Sequence, residues 1–203
     1  MGFLFLDIES FVDPEDENSG LNPHHAKSKV IVIAYNYYSS TTPPNIDSIK
    51  QPSFLFEWEV GSEKKLLEEF YKILKHIHNK DTFLKIVGFN HIVYDLNYLY
   101  SRMIHHEIGS KKELFNLLYT IPRHVDLAQL GMAVSKATKH SEDFRTISQK
   151  TINSYYDIPI KEASGKDVSL FYSKKEFEKI KKYCTEEFTF EMLYQSLLQT
   201  FLH

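Results

Sequence analysis

An apolar run near the N-terminus, FLFLDIES, ends in two carboxylates and constrains the fold more than any other segment of this chain. Its apolar residues predict a strand over residues 3–8 that is buried on both faces, where charge is costly. Because side chains alternate along a strand, we expect Asp7 and Glu9 on the same face. Two desolvated carboxylates repel each other, so a divalent metal, a basic partner or solvent must lie at the strand end. From this pair alone, we favour solvent.

Two more strands are predicted at residues 29–38 and 53–60, which are rich in β-branched and aromatic residues. The loops between the three strands contain Pro and Gly, and this spacing indicates a meander of antiparallel strands. Apolar residues then recur at three- and four-residue intervals from 66 to 77, which predicts an amphipathic helix with Ser62 as its N-cap. A buried strand is predicted at 83–89.

A helix is predicted from about residue 94 to 104, and the remainder of the chain is expected to be mostly helical. Residues 124–130, HVDLAQL, are interpreted as a strand end that leads into a helix, and the polar segment 135–150 as partly a loop. A last helix is predicted from about 174 to 202. This order of elements is typical of an α/β fold with one mixed sheet, and we interpret residues 1–203 as a single domain.

The composition excludes several classes of protein. Apolar residues at 42% and charged residues at 25% are the proportions of an ordinary globular protein. The single cysteine, Cys184, excludes an internal disulfide and a multi-cysteine zinc site. No apolar run approaches the roughly 20 residues of a membrane span, and no basic signal-peptide start is present, so we expect a cytoplasmic protein without membrane contact. A net charge of -3 does not by itself indicate a nucleic-acid binder, although it is compatible with a local basic face.

Further carboxylates follow later predicted elements. Asp95, in GFNHIVYDLNYL, comes just after a buried strand and a short turn, where the helix dipole favours a first-turn acid. Taken alone, Asp95 is more simply such an acid than a metal ligand. Tyr183 and Glu187 are four residues apart and share one face of the last predicted helix. Taken alone, Glu187 and its neighbours Glu186 and Glu191 are typical of a solvated acidic face.

The order of these elements resembles the motif order of the DEDD exonuclease family. An Asp-x-Glu ends the first strand, an Asn followed by a hydrophobe and Asp lies at a later strand-to-helix junction, and Tyr-x-x-x-acid lies on a late helix. The matching residues are Asp7 and Glu9, then Asp95, then Tyr183 and Glu187. The segments HVDLAQL and FRTISQKTINSYYDI resemble intermediate elements, so the resemblance covers nearly the whole chain. Within that family, the motifs most resemble the tyrosine-bearing branch, which includes proofreading domains of DNA polymerases and stand-alone nucleases.

The resemblance implies an RNase H-like fold, a mixed β-sheet flanked by helices, and a 3′-to-5′ exonuclease of single-stranded DNA or RNA. Two Mg²⁺ or Mn²⁺ ions about 3.5–4 Å apart serve phosphodiester hydrolysis in such sites. Asp7 would bridge both ions, Glu9 and Glu187 would hold the ion that activates water, and Asp95 would serve the other. Tyr183, as a neutral phenol, would orient the attacking water.

Two residues depart from the family pattern. Tyr94 precedes the second-motif Asp, where the family usually has Phe, and Glu187 stands where it usually has Asp. The extra methylene carries the Glu187 oxygens roughly 1 Å further, enough to displace a metal or the helix. A nuclease-fold protein with weakened catalysis, acting as a nucleic-acid-binding or scaffold module, is therefore the second hypothesis. A phosphatase or an endonuclease with a similar carboxylate cluster is less favoured, because Tyr183 and the motif order indicate the exonuclease branch.

Substrate contacts are predicted from the loops and the basic residues. Asn90 is a candidate for a substrate contact and equally for a cap of the turn before Asp95. Asp126 is interpreted mainly as an element-end cap. Lys and Arg side chains can follow a phosphate backbone. The candidates of this kind are Lys136, Lys139 and Arg145.

Overall fold

The structure is a computed structural model that describes residues 1–16, 21–138, 147–161 and 163–202. Its strands are β1 (Gly2–Phe11), β2 (Lys29–Tyr38), β3 (Ser53–Phe56), β4 (Leu84–Gly88) and β5 (Arg123–Asp126). Its α-helices are α1 (Glu57–Val60), α2 (Glu63–Lys80), α3 (Asp95–His105), α4 (Lys111–Phe115), α5 (Leu127–Thr138), α6 (Gln149–Tyr155), α7 (Gly165–Ser173), α8 (Phe177–Glu187) and α9 (Phe190–Leu202). A 3₁₀ turn spans Ile46–Ser48, and a π-helical segment at Asn116–Thr120 follows α4.

The strands form one mixed sheet in the order β3-β2-β1-β4-β5. The first three strands are antiparallel, which confirms the predicted meander, and β4 and β5 run parallel to β1. Parallel strands end at a common edge, so the carboxyl ends of β1, β4 and β5 lie together. The predicted α/β fold, a mixed sheet flanked by helices, is confirmed.

Helices cover the two faces of β1, the middle strand of the sheet. Alternate residues from Leu4 to Ile8 pack with α2 and α3 in one apolar core. Phe3 and Phe5 pack with α5 and α9 in another. Because side chains alternate along the strand, Asp7 and Glu9 continue the face of Phe3 and Phe5. Each buried Phe or Leu contributes roughly 1.5–3 kcal/mol, so these two cores fix the strand that carries the carboxylates.

The start of α2 agrees with the sequence, whereas the end of β3 does not. Ser62 caps α2 as predicted, since its side chain accepts a hydrogen bond from Lys65 N at 3.3 Å. The strand predicted at 53–60 ends at Phe56, and the next four residues form the helical turn α1. This turn brings the Trp58 ring between Phe56 and Phe177, with centroids 4.8 and 4.5 Å away. The contact of Trp58 with α8 thus outweighs the local preference of residues 57–60 for a strand.

The single helix predicted at 174–202 is wrong, because two helices, α8 and α9, lie there. Phe188 leaves the helical conformation with φ -75° and ψ 69°. Thr189 accepts a hydrogen bond from Asn153 Nδ2 at 2.9 Å, and Gln149 Nε2 donates to the carbonyl of Glu187 at 2.9 Å. Contacts with α6 therefore satisfy the polar groups that the break exposes.

The predicted polar segment 135–150 is partly helical. Its first residues belong to α5, and Ser148 caps α6 by accepting from Thr151 N at 3.2 Å. The strand and helix expected from HVDLAQL are confirmed as β5 and α5. Within the described ranges, no helix is long and apolar enough to cross a membrane.

Candidate active site

Three carboxylates from two distant parts of the chain converge beside the carboxyl end of β1. Asp7 and Glu9 extend from the same face of that strand, and Glu187 is the last residue of α8. One oxygen from each of the three lies within 4.8 Å of the others. Glu9 is only 9% exposed, and the Glu187 side chain 13%, so water screens these charges poorly.

Asp95, the first residue of α3, joins this group from the end of β4. It is 3% exposed, and its Oδ1 accepts a hydrogen bond from the backbone N–H of Ile8 at 2.9 Å. Ile8 lies between Asp7 and Glu9, so this bond ties α3 to the part of β1 that carries the two acids. We call Asp7, Glu9, Asp95 and Glu187 the carboxylate cluster.

Burial is the main reason why the acids of the cluster hold their protons more tightly. It raises the pKa of Asp7 well above the ordinary range, and the nearby charges of Glu187 and Asp95 raise it further. Burial, together with the charges of Glu187 and Asp7, likewise raises the pKa of Glu9. The pKa of Asp95 rises to about 7, again mainly through burial and despite its bond from Ile8 N. The cluster is thus short of positive charge.

Tyr183 lies one helical turn before Glu187 and faces the same cluster. Its side chain is buried, at 3% exposure, and its hydroxyl accepts a hydrogen bond from Lys161 Nζ at 2.5 Å. Burial raises the pKa of this phenol, with further contributions from Glu9 and Glu187. Tyr183 is therefore a neutral phenol at physiological pH, held beside acidic groups.

Lys161 is a member of this site that the sequence interpretation missed. Its ammonium donates to Glu187 Oε1 as well as to Tyr183, and it lies 4.4 Å from the centre of the Tyr183 ring. The residue stands alone between α6 and α7, so no periodicity or spacing singles it out. Chemistry rather than spacing could have indicated it. Four converging acids require a cation, and Lys161 lies in the part of the chain that precedes α7 and α8, the helix of Tyr183.

The cluster fits a divalent cation. Its members come from three separate elements and supply carboxylate oxygens, which Mg²⁺ and Mn²⁺ prefer. Glu187 Oε2 is buried and has no hydrogen-bond partner in the described part of the chain. Such an orphaned oxygen is rare in a folded protein and a bound cation would satisfy it.

The polar residues around Asp95 build the turn that leads into α3. Asn90 has a positive φ of 56°, and its carbonyl accepts from Val93 N and Tyr94 N at 3.2 and 3.1 Å. Its own N–H donates to Asp126 Oδ1 at 2.9 Å, and the same oxygen accepts from Ala128 N at 3.0 Å. Asp126 therefore caps the β5–α5 junction, and Asn90 shapes the turn through its backbone.

The predicted basic contacts lie largely outside what the structure describes. Lys136 is on α5, but its side chain is not among those described. Lys139 and Arg145 lie outside the described residues. Their role in substrate binding stays a prediction.

The interpretation of Glu186, Glu187 and Glu191 as a solvated acidic face, which applied to these residues taken alone, does not hold for Glu187 and Glu191. Glu187 belongs to the carboxylate cluster. Glu191 is 1% exposed on α9 and accepts from Asn36 Nδ2 at 2.7 Å, and burial raises its pKa. Glu186 alone has the predicted surface role, paired with Lys182 at 3.5 Å. Glu191 therefore faces the sheet, where it is bound by Asn36 of β2.

Comparison of the chain with known proteins finds relatives in structure but not in sequence. No family model and no curated protein matches it. Two solved structures of an E. coli ExoI–ssDNA complex match 66% of this chain. The metal-free form is 14% identical over 30% of that chain with a TM-score of 0.45, and the zinc-bound form 16% identical over 29% with a TM-score of 0.40. These scores are too low to establish a shared fold.

A family B DNA polymerase from the hyperthermophilic archaeon Pyrobaculum calidifontis gives a stronger match. It aligns with 98% of this chain at a TM-score of 0.62 and 16% identity. The matched region is 24% of the polymerase, so the chain spans about a quarter of that protein's length. The chain therefore has the RNase H-like α/β fold of part of a family B DNA polymerase.

Proposed function

We propose that this chain is a metal-dependent 3′-to-5′ exonuclease that hydrolyses phosphodiester bonds at the ends of single-stranded DNA or RNA. The convergence of Asp7, Glu9 and Glu187 within 4.8 Å is the observation that carries the proposal. The match to a family B DNA polymerase supports it through the fold. The order of the motifs along the chain supports the exonuclease class and the 3′-to-5′ direction. We also propose that residues 1–203 form one domain.

Asp7, Glu9, Asp95 and Glu187 would hold Mg²⁺ or Mn²⁺, two ions in all. When bound, the ions supply charge to offset the phosphate, to activate water and to stabilise the leaving alkoxide. Asp7 is suited to bridging because it extends from the middle strand, with Glu187 and Asp95 both close enough to raise its pKa. The hydrogen bond from Ile8 N fixes the Asp95 carboxylate beside the two acids of β1.

Tyr183 would orient the attacking water. Its oxygen accepts a hydrogen bond from Lys161 and its hydroxyl also contacts Glu187, so the phenol is held beside the acids where the water would lie. Because its pKa is raised, the phenol keeps its proton throughout the physiological range. A neutral hydroxyl can thus align the water without adding charge to an already acidic site.

Lys161 would offset the negative charge of the site on the side of Glu187. Its contact with Glu187 reduces the repulsion among the acids, and its ammonium is suited to an anionic phosphate. The same contact also favours the second hypothesis, a nucleic-acid-binding module with weakened catalysis. In that case Lys161 would remain paired with Glu187 and would neutralise its charge in place of a metal ion.

Substitutions of Glu187 distinguish the two hypotheses. If Glu187 is a working ligand, the backbone is adjusted to its length, so Glu187→Ala should be nearly inactive and Glu187→Asp slower than wild type by about tenfold. If Glu187 marks decayed catalysis, Glu187→Asp should increase activity. Initial rates on one oligonucleotide, with matched melting temperatures, measure the difference.

A direct assay tests the proposed function. Purified protein is incubated with 5′-labelled single-stranded DNA or RNA and with Mn²⁺, Mg²⁺ or a chelator, beside identically prepared Asp7→Asn protein. We expect a ladder that shortens from the 3′ end only with metal, and no cutting of a circular single strand. Cutting of the circle would indicate an endonuclease, and retention of the strand without cleavage would support the binding module.

A further inference from the structure

The backbone pairing of β1 is interrupted directly after Glu9. Glu9 lies opposite Val32 of β2, but the next residue, Ser10, lies opposite Val30, so Ile31 of β2 is an extra residue. Such a bulge disrupts the ladder locally and re-aims the neighbouring side chains. On its downstream side, Glu9 is therefore not held by regular sheet pairing, although its carboxylate must be placed accurately within the cluster.

Two hydrogen bonds from the start of α3 hold this end of β1. Ile8 N donates to Asp95 Oδ1 at 2.9 Å, and the hydroxyls of Ser10 and Tyr94 share a hydrogen bond of 2.5 Å. The two bonds thus flank Glu9, one residue before it and one after it. Ser10 is 7% exposed and Tyr94 is half-buried, so water has limited access to the second bond.

We propose that Tyr94 is a positioning residue, whose hydroxyl acts through Ser10 to hold Glu9 in register with Asp95. The inference rests on the proposed function, in which Glu9 and Asp95 are metal ligands. Tyr94 is one of the two departures from the family pattern, and phenylalanine at this position has no hydroxyl to make the bond. Tyr94 directly precedes Asp95, and Ser10 directly follows Glu9. The bond between them therefore joins the residues next to the two proposed metal ligands.

Removal of the hydroxyl alone separates positioning from packing. The Tyr94 ring packs against Tyr98, with centroids 5.5 Å apart, and Tyr94→Phe keeps that contact. Ser10→Ala removes the same bond from the other side. Tyr119→Phe is the matched control, since its hydroxyl donates to Asn97 Oδ1 at 2.7 Å, also on α3 but away from the cluster.

The test measures Mn²⁺ affinity by calorimetry, and amide hydrogen exchange at the end of β1 without metal. We expect Tyr94→Phe and Ser10→Ala each to weaken Mn²⁺ binding by about three- to tenfold, the effect of one buried hydrogen bond. The double variant should be no weaker than Ser10→Ala, because Tyr94→Phe removes only a bond that Ser10→Ala has already removed. Exchange at Ser10 and Phe11 should accelerate in both, and Tyr119→Phe should match wild type in both measurements.

Three results would overturn the inference. Wild-type Mn²⁺ affinity in Tyr94→Phe and Ser10→Ala would do so, even if their melting temperatures fell, because the bond would then be only structural. Additive losses in the double variant would show that the two hydroxyls act separately. Absence of Mn²⁺ binding by wild-type protein would overturn the proposed metal site and this inference together, whereas the first two results leave the proposed function standing.

Discussion

Two groups of buried acids in this protein differ in how completely hydrogen bonds and cations pair with them. Glu63, at the start of α2, accepts from Arg102 Nε and Nη2 at 2.8 and 2.6 Å, from Val30 N at 2.8 Å, and lies 2.7 Å from His106 Nε2. We call Glu63, Arg102 and His106 the Glu63 cluster. In the carboxylate cluster, by contrast, Lys161 contacts Glu187, no such contact joins it to the other three acids among the described residues, and Glu187 Oε2 has no partner in the described part of the chain.

The pKa shifts of the two clusters follow from this difference. Burial alone would raise the pKa of Glu63, but the hydrogen bonds from Arg102 and His106 outweigh it and lower the pKa. In the carboxylate cluster burial dominates, and the pKa values of Asp7, Glu9 and Asp95 rise. Complete pairing accounts for the lowered pKa of Glu63, whereas incomplete pairing of buried acids is typical of functional sites.

The largest expected effect is the loss of activity in Asp7→Asn. This change removes the proposed bridging ligand, so we expect nuclease activity to fall at least about a thousandfold, roughly 4 kcal/mol in the barrier. The melting temperature without metal should be unchanged or higher, because a buried repulsion disappears. Rate assays and thermal melts check both. A variant that keeps more than about a tenth of the wild-type rate would remove Asp7 from the centre of the account.

Glu63→Gln should show the opposite pattern, with lost stability and little direct effect on catalysis. Removal of the charge leaves Arg102 buried without its partner, at a cost of about 3–5 kcal/mol. Chemical denaturation measures this loss. Glu113→Gln is the control, since water screens the exposed pair of Glu113 and Lys75 and its loss should change stability little. Equal stability in the two variants would mean that the Glu63 cluster does not stabilise the fold more than an exposed ion pair does.

The pH dependence of stability should also differ between the clusters. An acid whose pKa is raised on folding binds more protons in the folded state, so metal-free protein should lose stability as pH rises from the ordinary carboxylate range to about 7. Glu63, with its lowered pKa, acts in the other direction: its contribution is present above its unfolded pKa and is lost only as pH falls further. Melts from pH 4 to 8 measure the slopes. Asp7→Asn should flatten the loss at higher pH, and a slope identical to wild type would contradict the charge deficit.

The sequence predicted much of this arrangement because the motifs are local. The buried strand of Phe3 to Ile8, the cap at Ser62 and the acids at element ends each follow from a few neighbouring residues. Lys161 and Glu191 could not be placed in this way. The position of Lys161 depends on a non-helical segment that contacts α8, and the burial of Glu191 depends on its contact with Asn36 of the distant strand β2. Tertiary contacts, rather than propensity, determine these features.

The smallest expected effect concerns Lys161. Lys161→Met removes a cation that offsets part of the negative charge of the carboxylate cluster, so the metal-free protein should lose about 1–3 kcal/mol of stability. Millimolar Mn²⁺ should then raise the melting temperature more than it does in wild type, because ion binding replaces the lost charge. Lys166→Met, an exposed substitution on α7, is the control. Equal Mn²⁺ responses in both variants would place Lys161 outside the charge balance of the site.

Anomalous diffraction from crystals grown with Mn²⁺ tests the central claim most directly, because it locates the ions without reference to activity. The account predicts two Mn²⁺ peaks about 3.5–4 Å apart, in contact with Asp7 and shared among Glu9, Asp95 and Glu187. The Glu63 cluster should show no peak. The absence of any Mn²⁺ peak at the carboxylate cluster, with Lys161 still bound to Glu187, would contradict the account.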